Sequence, residues 1–137
     1  KILTRHYNNI SIISKTKKTI TEASFDARES ILFEAFSLLT KKNIAEEYGF
    51  LSFGLFKYNF SNWDKLQKTK FYYALNGRGS EEGIFQQLNS IKLSDQTILI
   101  PLNKIDNFKE FLDSWKLDYK YIPIMIPKRL GKSKILS

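Results

Sequence analysis

Nucleophilic side chains are plentiful in this chain, but the groups that would activate them are scarce. There is no cysteine, which excludes thiolate chemistry, disulfides and Cys-based zinc sites. The single histidine, His6, removes any His pair, and a Ser-His-acid triad would have to rest on that one residue. No G-x-S-x-G elbow occurs. Tyr7, Tyr72 and Tyr73 would be strand-transfer nucleophiles, but the histidine partners of that chemistry are missing. The carboxylates offer little more. Glu46–Glu47 and Glu81–Glu82 are adjacent pairs whose side chains diverge, and Asp26, Glu29, Glu34 and Asp106 read as caps or helix-surface residues. No spacing of acids marks a two-metal site. The expectation is a non-catalytic protein with no catalytic residue, no metal site and no cofactor.

Two features point to binding instead. The segment Asn76-Gly77-Arg78-Gly79-Ser80-Glu81-Glu82-Gly83 is glycine-rich, and main-chain N–H groups of such a turn can cradle a phosphate. It matches neither the P-loop nor G-x-G-x-x-G, and its two glutamates would repel phosphate. It reads first as a turn, with Arg78 free to contact a nucleic-acid backbone. The second feature is aromatic. Phe50, Phe53, Phe56, Tyr58, Phe60, Trp63, Phe71, Tyr72 and Tyr73 fall in one stretch, interleaved with Lys57, Lys65, Lys68 and Lys70. On two paired strands, one face enters the core and the other presents aromatics beside lysines. That is how single-stranded nucleic acid is stacked and neutralised. The alternative is a strand buried on both faces, with its aromatics in the core.

Charge agrees with a polyanionic partner. The 137-residue chain carries a net charge of +8. The cations Lys1, Arg5, Lys15, Lys17 and Lys18 near the start face no acid before residue 20, and residues 116–137 carry six cations against Asp118 alone. The basic excess therefore sits in two terminal segments around a slightly acidic middle, a field that attracts nucleic acid. The expected strand-contacting residues are Lys57, Tyr58, Lys70, Tyr72 and Arg78, with Lys128 and Arg129 as a backbone clamp.

The elements that would hold these residues follow from periodicity. A strand pair is expected over Asn8–Thr21, turning near Ser14–Lys17. Asp26–Tyr48 reads as one long helix: Ile31, Leu32, Ala35, Leu38, Leu39 and Ala45 recur at helical spacing, Asp26 is the N-cap and Gly49 the stop. Phe50–Phe60 and Lys70–Leu75 read as strands, and Glu81–Ser90 as a short helix, with a strand over Ile84–Leu88 as the alternative. Thr97–Ile100 is a buried strand stopped by Pro101. A helix capped by Asn103 then runs to Trp115, and Tyr119–Ile126 is an edge strand. The fold class is α+β: an antiparallel or mixed sheet packed by one long and one or two shorter helices. One domain is expected over residues 1–130, with a basic tail at 131–137.

From Lys70 to Trp115 the chain resembles the PUR and PC4-like family of single-strand nucleic-acid-binding repeats. The pieces are Phe71-Tyr72-Tyr73-Ala74-Leu75, Gly77-Arg78-Gly79, Ile98-Leu99-Ile100-Pro101 and the amphipathic Phe108 to Trp115. The resemblance implies a curved antiparallel sheet that binds single strands, often as a dimer. The expected function is thus a non-catalytic domain binding single-stranded DNA or RNA. The alternative is an accessory or protein-interaction subunit of a nucleic-acid-processing complex. The expected partners are nucleic acid and either a second copy or a larger complex, with no membrane. The expected location is intracellular, cytoplasmic or nucleoid-associated.

Overall fold

The computed structural model describes residues 12–130. Of the strand arm expected over residues 8–14, residues 8–11 lie outside the described residues, as do the single histidine and the basic tail at 131–137, and residues 12–14 form no strand. The protein is α+β, with helices packed on a four-stranded antiparallel sheet.

The amino-terminal part departs most from the sequence pattern. Lys17–Thr21 is not a strand but a short helix, α1, started by a threonine capping box. The Thr19 N–H donates to Thr16 Oγ1 at 3.2 Å and the Thr16 N–H donates to Thr19 Oγ1 at 2.8 Å. The long helix expected over Asp26–Tyr48 is broken into α2 (Arg28–Glu34), a two-residue hairpin β1 (Phe36–Ser37) and β2 (Lys42–Asn43), and α3 (Ile44–Glu47). Local polar bonds win over apolar periodicity here. The Thr40 N–H donates to Ser37 Oγ and the Thr40 hydroxyl to Glu47 Oε1 at 2.6 Å, which holds a turn where the helix would run. Leu38 and Leu39, expected inward, are exposed. The end of α2 is instead tied to the sheet, because the Ser52 hydroxyl donates to the Phe33 carbonyl at 2.9 Å.

From residue 50 the order is β3 (Phe50–Tyr58), α4 (Lys65–Asn76), the hairpin β4 (Gly77–Arg78) and β5 (Glu81–Glu82), α5 (Ile84–Gln87), β6 (Ile91–Ser94), β7 (Thr97–Pro101), α6 (Ile105–Ser114) and β8 (Tyr119–Pro127). The main sheet has the order β6-β7-β3-β8, with every neighbour antiparallel. Apart from the short hairpin and α5, this is β-α-β-β-α-β with the split β-α-β strand order of ferredoxin-like folds. That topology fixes no function.

Lys70–Leu75, expected as a strand, is helical. Asp64 caps α4: the Gln67 N–H donates to Asp64 Oδ1 at 2.7 Å, and Phe71 and Leu75 are buried one helical turn apart. The aromatic piece of the PUR and PC4-like resemblance is therefore part of a helix. Glu81–Ser90 divides between β5 and α5, and β6 was not legible in the pattern. The helix after Pro101 forms as expected, but Asn103 does not cap it; a 3-10 turn over Leu102–Lys104 leads in without a side-chain cap.

The two faces of the sheet differ. Phe56, Tyr58, Ile98 and Ile100 point toward the helices and are buried with Phe71, Leu75, Phe108 and Leu112. Phe56 meets Phe108 edge-on at 5.0 Å between ring centroids and lies 5.1 Å from Tyr121. Gly54 is needed beneath these rings, since a Cβ there would lie 2.8 Å from Tyr121 Cε2. The other face carries Phe53, Ile91 and Leu99, with Leu51, Leu55, Ile124 and Ile126 packed around them.

Candidate nucleic-acid interface

The residues expected to form one strand-binding face do not lie together. Lys57 and Tyr58 are consecutive on β3 and point to opposite faces, as the pleat requires. Tyr58 is 1% exposed, in the aromatic core rather than on a surface. Lys57 is exposed at the end of the face that carries Phe53 and Leu99, directly opposite Lys120 of β8. Lys128 and Arg129 sit in a 3-10 turn beyond β8, next to Pro127, which pairs with Phe50. Tyr58 pairs with Tyr119 at the far end of the same ladder. Eight residue steps, about 27 Å, separate those two ends. The clamp is therefore remote from the aromatics it was expected to assist.

Helix α4 brings a different set together. Its sequence, KLQKTKFYYALN, holds three lysines and no acid. Lys70 and Tyr72 are two residues apart, about 200° around the helix, so they face opposite ways. Lys68 is four residues before Tyr72 and shares its side. Tyr72 is 57% and Tyr73 41% exposed, and their rings meet edge-on at 6.0 Å. Arg78 reaches back from the hairpin to lie 5.1 Å over the Tyr73 ring. Gly77, at φ 86°, makes this return possible, and Gln86 fastens it by accepting from the Gly83 N–H at 2.9 Å. Among the described residues, the ion pairs engage none of Lys65, Lys68, Lys70 or Arg78.

Beside Tyr72 a cavity of about 230 Å³ opens between α4 and the β6–β7 hairpin, with Phe60, Lys68, Phe71, Phe85 and Tyr58 in its wall. The Lys92–Asp95 ion pair, at 2.7 Å, stands at its edge. The Tyr58 hydroxyl is buried without a hydrogen-bond partner among the described residues. Burial, and secondarily the Asp95 charge, push its pKa up to about 12, so the phenol is neutral at physiological pH.

Pattern reading left Lys68 out of the strand-contacting set because it began a strand at Lys70 and put Lys68 in the connection before it. The capping box Asp64–Gln67 and the helical spacings Lys68–Tyr72 and Phe71–Leu75 were the signals that carried it. Among the described residues, no group of three His, Cys, Asp or Glu side chains is placed to hold a metal ion, and no helix is long and apolar enough to cross a membrane. Comparison with protein-family models, curated proteins and solved structures finds no match.

Proposed function

We propose that this chain is a non-catalytic nucleic-acid-binding domain with single-strand preference, and that α4 and the hairpin after it form the strand-contacting surface. The observation that carries the reading is a helix with three lysines, no acid and two exposed tyrosines, one of them under Arg78. Tyrosine rings offer stacking surface to any base, worth about 1–3 kcal/mol per base. The lysines and Arg78 supply phosphate contacts. The sheet face that carries Phe53 and Leu99 does not support a stacking platform. Four-stranded sheets that bind RNA stack bases on aromatics of that face; here its aromatic on β3 is Phe53, only 8% exposed.

The test is fluorescence polarisation with labelled single-stranded and duplex oligonucleotides of DNA and RNA. Binding of the single strand should fall steeply between about 50 and 200 mM salt, as counterion release requires. An affinity that is absent at low salt removes the reading and leaves the accessory-subunit role in its place.

A further inference from the structure

The cavity beside Tyr72 is the concave, apolar part of the α4 surface. Tyr58, Phe71 and Leu75 form its buried floor. Half-buried Phe60 and Phe85 and exposed Tyr72 give it walls of ring surface. Its volume of about 230 Å³ lies below the roughly 300 Å³ at which sites for drug-sized molecules begin. It suits one planar ring system whose polar attachments stay outside.

The mouth carries cations from two elements. Lys68 reaches it from α4 and Lys92 from β6. Lys68 makes no ion pair among the described residues. Lys92 pairs with Asp95, the acid in the lining, at 2.7 Å. An ammonium has three donors, so that pair leaves Lys92 able to meet a further anion. The first and last described elements lie at the other end of β3. Lys17 of α1 pairs with Glu47 of α3 at 3.6 Å, and the Lys128 N–H donates to the Gly49 carbonyl at 2.8 Å. From Phe50 to Tyr58 is eight residue steps, about 27 Å.

We propose that this cavity receives one unstacked nucleobase of a bound single strand, with Lys68 and Lys92 on the phosphates that flank it.

The inference rests on the nucleic-acid reading and gives its strand preference a physical cause. A base in a single strand turns out of its stack at little cost. A base in a duplex must also give up its pairing before it can enter a pocket. The ring walls meet the faces of the base, and every base offers such a face. Sugar and phosphates remain in water at the mouth, where the two cations neutralise them.

Methyl 1H–13C NMR of the full chain, titrated with short single-stranded DNA and RNA oligonucleotides of mixed sequence, tests this beside the polarisation assay. Leu75 is the reporter, because it lies on the cavity floor and not on the outside of α4. A base in the cavity should shift the Leu75 methyl resonances through its ring current, with the affinity that polarisation gives. Phe85→Ala leaves every residue of α4 and of the β4–β5 hairpin in place. It should weaken single-strand binding at least about fivefold, change duplex binding little and leave the salt dependence as it was. Far-UV circular dichroism checks that this variant folds, and Phe85→Leu stands in for it if it does not. Single-strand binding that leaves the Leu75 methyls unmoved overturns the cavity proposal and keeps the outer surface of α4 as the site. So does a Phe85 variant that weakens single strand and duplex equally. Nuclear Overhauser contacts from residues 1–11 to Leu75 in the free chain overturn it too, since the cavity would then be filled already. An absence of any oligonucleotide binding at low salt removes the cavity proposal together with the reading on which it rests.

Discussion

The aromatic face of the sheet, packed by helices, and its opposite face are built from the same four strands, yet they behave as different materials. On the covered face, rings from β3, α4, α6 and the residue after α6 meet edge to face: Phe56 against Phe108, Tyr58 against Phe71, Phe71 against Trp115. On the other face Phe53 lies among aliphatic side chains, and the face ends in Lys57 and Lys120. The contrast shows where the aromatics of this sequence were spent. Most of them hold helices to a sheet, and on α4 the outward Tyr72 and Tyr73 remain for a ligand. A stretch dense in aromatics and lysines is therefore two things at once, a core and a surface, sorted by the geometry of one helix.

The contrast is tested most severely by truncation. Phe56→Ala should cost about 3–5 kcal/mol of stability in urea denaturation, through the cavity left among rings. Ile122→Ala should cost under about 1 kcal/mol, because that side chain is already half in water. Equal losses at the two sites would erase the distinction between the faces.

Tyr72→Ala and Tyr73→Ala should each weaken single-strand binding by about 1–3 kcal/mol with an unchanged circular dichroism spectrum. Unaltered polarisation titrations would move the binding surface off α4.

Tyr58→Phe separates core from site most directly. The hydroxyl has no partner among the described residues, so its removal should leave stability unchanged or raise it by up to about 1 kcal/mol. The pH dependence has a definite sign. The folded-state pKa of Tyr58 lies near 12, above the ordinary 10.0. Its contribution is thus fully present below pH 10 and is lost as pH rises toward 12. Alkaline denaturation should be shallower in Tyr58→Phe, and an unchanged profile would show that the phenol does not titrate on unfolding.

The smallest effects concern the lysines. Lys68→Gln and Lys70→Gln should each flatten the dependence of log affinity on log salt by about 0.7 if each contacts a phosphate. Only Lys68 shares a side with Tyr72, so its loss should weaken binding more at every salt concentration. The reverse order would place the strand on the other side of α4.

Much of the carboxy-terminal half was legible. Thr97–Pro101, the helix ending near Trp115 and the edge strand from Tyr119 follow from apolar runs bounded by proline and from a stripe at helical spacing. Lys70–Leu75 misled because aromatic residues favour strands, while the capping bond at Asp64 and the burial of Phe71 with Leu75 favour helix. Asp26–Tyr48 misled in the opposite sense: helical periodicity continued through Ser37–Lys42, where side-chain bonds from Ser37 and Thr40 built a turn. The candidate site suffered from the first error. Once 65–76 is helical, Lys70 and Tyr72 part and Lys68 and Tyr72 meet.

The amino-acid sequence alone determined the chemistry on hand: no cysteine, one histidine, a basic excess and an abundance of aromatic rings, which depend on composition and not on conformation. It also determined the α+β class, because alternation and helical periodicity are local properties. The tertiary structure decided which rings are core and which are surface. That depends on which way each strand and helix turns when they pack, and a single residue's shift in phase exchanges inside for outside.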